Sequence, residues 1–102
     1  MFLAFTATAQ EKINLAFVGD IMMGTNYPNK SYLMTDGGVN LFKDCTYIIQ
    51  KADCAFGNLE GVLLDEGGTP KKCSNPKVCY AFRTPIAYVK NLTIAGFDAM
   101  SI

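Results

Sequence analysis

The run Ile13-Asn14-Leu15-Ala16-Phe17-Val18, stopping at Gly19-Asp20, decides how the rest of the chain is read. It is short, mostly apolar and rich in residues that favour extended backbone, the pattern of a strand buried on both faces of a parallel sheet. Such a strand needs a crossover helix and a neighbour, and the sequence supplies both. Asn40 can cap a helix over residues 41–51, with Leu41, Cys45, Ile48, Ile49 and Ala52 on one face at three- and four-residue spacing. Asp53-Cys54-Ala55-Phe56 reads as a second strand that ends at Gly57-Asn58. Thr84-Pro85 opens a second helix, with threonine as cap and proline where its missing N–H costs nothing. Ile86, Val89 and Leu92 or Thr93 form its buried stripe, and Gly96 closes it in the left-handed conformation. Phe97 to Ile102 reads as a third strand. Strand, helix, strand, helix, strand with right-handed crossovers is a small parallel α/β sheet.

Two long loops separate these elements. Residues 20–40 carry Gly24, Pro28, Gly37-Gly38 and several Asn and Asp, each a turn former by mechanism, and long loops in compact domains are usually functional. Residues 59–80 carry Gly67-Gly68, Pro70 and Pro76, kept solvated by Lys71-Lys72 and Lys77, and Tyr80-Ala81-Phe82 can pair as a short edge strand. The last residues, Ala99-Met100-Ser101-Ile102, are mostly apolar and lack a turn or charge, so residues 13–102 read as a partial domain cut short at its C-terminus. Residues 1–12 read as a signal-peptide remnant, from Ala7-Thr8-Ala9 before Gln10, or as an ordinary disordered N-terminus.

Composition narrows the function. The chain has 102 residues, half of them apolar and 18% charged, which argues against disorder, while no apolar run reaches the roughly 20 residues of a membrane span. Nine Lys+Arg balance nine Asp+Glu, without the basic excess of a nucleic-acid binder. With no histidine, imidazole acid/base catalysis, a Ser-His-Asp triad and His-based zinc sites are excluded for this chain.

Ligands of open parallel sheets bind outside the carboxyl ends of the strands, and two polar clusters fall there: Gly19-Asp20 and Gly57-Asn58-Leu59-Glu60. Neighbouring strands lie about 4.8 Å apart, so Asp20, Asn58 and Glu60 can converge as oxygen ligands for Mg²⁺ or Mn²⁺. The same residues also suit the plainer role of tightening strand-end turns. Gly19-x-x-x-x-Gly24 has the glycine spacing of a P-loop but continues into Thr25-Asn26 where Lys and Ser or Thr are needed, so it is not one.

Gly19-Asp20-Ile21-Met22-Met23-Gly24, with Ala52-Asp53-Cys54-Ala55-Phe56-Gly57-Asn58-Leu59-Glu60-Gly61, resembles the CapA-like capsule or poly-γ-glutamate synthesis proteins. Tyr80-Ala81-Phe82-Arg83-Thr84-Pro85 looks like that family's aromatic-Arg-small-Pro segment, and Ala95-Gly96-Phe97-Asp98-Ala99-Met100-Ser101 like the segment leading into its third motif. The resemblance implies the N-terminal β-α-β-α-β portion of a layered α/β fold similar to calcineurin-like metallophosphoesterases. It implies Asp20, Asn58 and Glu60 as residues of a divalent-metal site and Arg83 as a partner for an anionic substrate group. Met22 stands where metallophosphoesterases usually have histidine, and the family's Asn-Asn-His motif is expected just past Ile102, so the site in this chain is expected to be incomplete and the chain inactive alone. The implied role is synthesis or export of a capsular polymer such as poly-γ-glutamate, with the polymer or its membrane-bound machinery as partner. A metal-dependent phosphoesterase of unknown substrate and a noncatalytic polymer-binding accessory are the alternatives.

Cys73 and Cys79 enclose a short Lys-, Asn- and Pro-containing loop, which suits a local disulfide and an extracytoplasmic location. Cys45 and Cys54 read as buried thiols, and Met22, Met23, Met34 and Met100 as packing residues. Asn29-Lys30-Ser31 and Asn91-Leu92-Thr93 match the glycosylation triplet, which carries no weight alone.

Overall fold

A computed structural model describes residues 11–102. The expected signal remnant therefore lies almost wholly outside the described residues.

Three parallel strands form the main sheet: β1 (Leu15–Ile21), β2 (Cys54–Leu59) and β5 (Ala99–Ser101), in the order β1-β2-β5. Between β2 and β5 a two-stranded parallel ribbon joins β3 (Val62–Leu63) to β4 (Arg83–Thr84). Two short helices complete the fold, α1 (Thr46–Ile49) and α2 (Val89–Ala95). The chain is thus mixed α/β with a parallel sheet, as the strand-helix alternation predicts.

Both helices pack on one face of the main sheet. Strands added successively in one direction through right-handed crossovers carry their helices to the same side. On that inner face Ile49 of α1, Ala55 of β2 and Ala95 of α2 form one buried cluster. Ile21, Met23, Leu59, Tyr88 and Leu92 form a second, and Phe42 and Phe97 line both, edge to face at 5.7 Å. Alternation along β2 is clean: Ala55, Gly57 and Leu59 are buried, while Cys54, Phe56 and Asn58 are half-exposed on the other face.

Several expectations are corrected. The first strand is not buried on both faces: Phe17 is 71% and Leu15 54% exposed, because no described element covers the outer face. The helix expected over residues 41–51 is one turn at Thr46–Ile49, preceded by tight turns whose bonds run three residues back, Gly38 to Leu41, Asn40 to Lys43 and Phe42 to Cys45. The Asn40 side chain does not cap it; its Nδ2 donates to Asp36 Oδ2 at 3.0 Å. Ile49 alone of the expected stripe is fully buried, Ile48 is 68% exposed, and the free cysteines are exposed (Cys45) or half-buried (Cys54).

The second helix starts with a 3₁₀ turn, Ile86–Tyr88, before α2. Thr84 does not cap it, since its hydroxyl donates to the Gly24 carbonyl at 2.7 Å. The buried stripe is Tyr88, Asn91, Leu92 and Ala95, shifted from the expected one by the 3₁₀ start, and Ile86 and Val89 face solvent. Gly96 does end α2 with φ +97, and a Cβ there would sit 2.6 Å from Gln50 Cγ. The pairing expected at residues 80–82 occurs at β4 instead. Of the methionines read as packing residues, Met23 is buried and Met100 half-buried, whereas Met22 and Met34 are exposed. The expected Cys73–Cys79 disulfide is present.

Candidate functional site

Parallel register sets the geometry at the carboxyl ends of the main sheet. Asp20 pairs with Asn58 and Asn58 with Ser101, so one row of three residues crosses β1, β2 and β5. Their side chains are joined along the row. Ser101 Oγ donates to Asn58 Oδ1 at 2.6 Å, and Asn58 Nδ2 donates to Asp20 Oδ1 at 2.8 Å. The order of donors and acceptors fixes the amide: its nitrogen faces the carboxylate and its oxygen faces the hydroxyl. A register shift between Phe17 and Asp20 allows this row to form, because without it strand alternation would put Asp20 opposite Phe17's face.

Glu60 lies one residue past β2. Its N–H donates to the Ile21 carbonyl at 3.1 Å, which continues the ladder and assigns Glu60 to the Asn58 side by alternation. Asp20 and Asn58 are thus in direct contact, and Glu60 follows two positions on. Ser101 was not singled out by sequence reasoning. Its signal was its position in the third strand, usable once the register of three strands is known.

Gly57 keeps the row close to the core. A Cβ at this position would collide with Ile21 Cδ1 and press on Val18 Cγ2 at 3.1 Å and Met100 Sδ at 3.3 Å.

Arg83 is elsewhere, on β4, in a knot that ties three loops together. Its Nε donates to Asn26 Oδ1 at 2.5 Å and its Nη1 to the Gly67 carbonyl at 2.6 Å, and its guanidinium carbon lies 5.8 Å from the Tyr27 ring centre. Asn26, only 6% exposed, donates Nδ2 to the Leu64 and Asp65 carbonyls, and its N–H donates to the Arg83 carbonyl at 2.7 Å. The Thr25 hydroxyl accepts from the Arg83 N–H at 3.0 Å. Every polar group of this knot is matched, as buried polar groups must be. Sequence reasoning did not find Thr25 or Asn26, which read as loop residues.

Asp36 closes the turn before α1. The Gly38 N–H, donated at 2.8 Å, and then the Asn40 amide hold its carboxyl below the ordinary aspartate range.

The chemistry available in the strand-end row is that of hard oxygen donors: a carboxylate, an amide carbonyl, a hydroxyl and, just beyond, a second carboxylate. Among the described residues no cluster of three or more His, Cys, Asp or Glu side chains forms, so a cation at the row would draw on the amide and hydroxyl oxygens as well. No helix among the described residues is long and apolar enough to cross a membrane.

The family model described as bacterial capsule synthesis protein PGA_cap matches residues 14–102. Comparison with curated proteins returns no match.

Proposed function

The chain belongs to the bacterial capsule synthesis protein family, and from that premise we propose that it acts in the synthesis or export of a capsular polymer such as poly-γ-glutamate, using a divalent cation at its strand ends. The observation that carries this reading is the hydrogen-bonded row Asp20, Asn58 and Ser101 at the carboxyl end of a parallel sheet, with Glu60 beside it. That edge is where open α/β sheets bind their ligands. Oxygen donors of this kind suit Mg²⁺ or Mn²⁺.

Asp20 would hold the cation through its carboxylate, with Asn58 and Glu60 as further ligands or as groups orienting water. Ser101 holds the Asn58 amide in one orientation. Bound there, a divalent cation supplies Lewis acidity toward a phosphoryl or carboxyl-phosphate oxygen. With Arg83 Nε and Nη1 already donating within the chain, pairing with an anionic substrate group falls to the Nη2 side of the guanidinium. The parallel sheet is compatible with the layering of calcineurin-like metallophosphoesterases. The Cys73–Cys79 disulfide supports an extracytoplasmic setting, beside the membrane-bound machinery that makes the polymer.

Calorimetric titration of Mn²⁺ into the chain tests the site. Saturable binding is expected, weakened about tenfold or more by Asp20→Asn and by Asn58→Ala. Equal affinity in the wild-type chain and both variants rejects the cation site. The cellular role is tested by restoring capsule to a strain lacking the gene, with wild type expected to succeed and Asp20→Asn to fail. A noncatalytic polymer-holding role is the second reading, and the basic aromatic face described next favours it.

A further inference from the structure

Charge is unevenly distributed along the chain. From Gly67 to Phe97 there is no Asp or Glu, yet Lys71, Lys72, Lys77, Arg83 and Lys90 fall there. The first three flank or lie within the loop closed by Cys73–Cys79, and all three are exposed. Beside them the surface is aromatic. Tyr80 and Phe82 lie parallel with ring centres 6.4 Å apart, and Tyr80 and Tyr32 are 64% and 67% exposed.

Three adjoining depressions share Tyr27 and Ala81. The largest, about 440 Å³, is lined by Tyr27, Tyr32, Tyr80 and Phe82 among others. A second, about 270 Å³, runs along Tyr27, Lys71 and the disulfide. A third and smaller one ends at Gly67 and Arg83. The surface is therefore a shallow aromatic groove with cations along its rim. Of the acidic residues nearest in sequence, Asp65 accepts from the Ile86 N–H at 3.1 Å, and Glu66 follows it on the same loop.

We propose that this groove binds an extended polymer carrying a carboxylate on each repeat. The lysines provide charge complementarity along a line, and tyrosine rings offer flat apolar faces for the methylene spacers, with hydroxyl tips for backbone amides. The groove lies on the same side as the strand-end row in chain terms, because Thr25 is five residues past Asp20, within about 18 Å even if fully extended. A polymer in the groove is thereby within reach of the row. The choice of a carboxylate polymer over a single-stranded nucleic acid, which basic aromatic grooves also suit, rests on the capsule reading above.

The test is fluorescence anisotropy of labelled poly-γ-glutamate with the full chain, with neutral dextran and oligo-dT as competitors. Wild type is expected to bind, more weakly as salt is raised. Lys71→Glu/Lys72→Glu/Lys77→Glu is expected to weaken binding about tenfold or more, and Tyr80→Ala several-fold, while Lys90→Glu on α2 stays within about twofold. All substituted residues are exposed, and circular dichroism confirms the folded state of each variant. Competition by oligo-dT as strong as by unlabelled polymer, or competition by dextran, overturns the assignment of ligand. Binding that all variants retain overturns the location but leaves polymer handling intact. No binding by wild type overturns the proposal, while restoration of capsule in the gene-deficient strain would still support the family role.

Discussion

Asn58 shows how much one residue can hold in place. Its amide takes a hydroxyl on one side and gives a hydrogen bond to a carboxylate on the other, so its rotamer is set before any ligand arrives. Asp20 and Asn58 were legible in the sequence because each follows a short apolar run. Ser101 was not, since nothing local distinguishes it and only three-strand register brings it into the row. Arg83 was legible as important, but for a reason the sequence does not carry: its partners Asn26 and Gly67 lie 57 and 16 residues away. Arg83→Lys loses the planar fork that reaches both acceptors and is expected to destabilise the chain by about 1–3 kcal/mol, measured by urea denaturation. A loss of polymer binding with unchanged stability would instead make Arg83 a ligand-contacting residue. Asp36 gives a pH prediction of defined sign. Its carboxyl is held low in the folded chain, first by the Gly38 N–H and then by Asn40, so the turn's stabilisation is present above the ordinary carboxylate range and is lost as pH falls through the folded value. An NMR titration of Asp36 should show a midpoint below 3.8, and Asn40→Ala should move it back up.

At the scale of elements, hydrophobic period located every strand of the main sheet and misjudged both helices. Strands β1, β2 and β5 are specified by local runs that end at Gly-Asp, at Gly-Asn-Leu-Glu and at the end of the chain, and their pairing follows from crossover handedness. The helices are short, and their ends are decided by tertiary contacts. Thr84 is drawn away from capping by the Gly24 carbonyl, and Asn40 by Asp36. Both are residues whose short polar side chains bond equally well to neighbours outside the helix, so a capping signal in sequence competes with the rest of the fold. The C-terminal stop of α2 was legible, because a left-handed residue there has a strong glycine requirement. With φ +97 and Gln50 Cγ 2.6 Å from an added Cβ, Gly96→Ala combines backbone strain with a steric contact. The expected cost is about 1–3 kcal/mol. Chemical denaturation followed by circular dichroism measures it, and a change under about 0.5 kcal/mol would mean that the turn relaxes to accommodate the side chain.

For the molecule as a whole, the main consequence of the topology is a one-sided core. Strand order β1-β2-β5 places both helices on one face, and no described residue covers the other, where Leu15, Phe17, Phe56 and Ala99 lie below the polar row. Phe17 and Phe56 stack at 5.1 Å, which recovers part of the contact that a covering layer would give. Apolar surface of this kind drives association or dye binding in an isolated chain. The chain is therefore expected to bind a hydrophobic dye while retaining its circular dichroism, and to sediment with a concentration-dependent mass. Phe17→Lys discriminates the cause. At 71% exposure the side chain contributes little to the core, so the substitution should cost only about 0.5–1.5 kcal/mol from the lost ring pair, yet reduce dye binding and association sharply. Ile21→Asp, on the inner face at 7% exposure, should unfold the chain instead, because it buries a charge among Leu59, Tyr88 and Leu92. If Phe17→Lys leaves dye binding and sedimentation unchanged, the outer face is covered in solution. If it unfolds the chain as Ile21→Asp does, the two faces carry equal weight and the core is not one-sided.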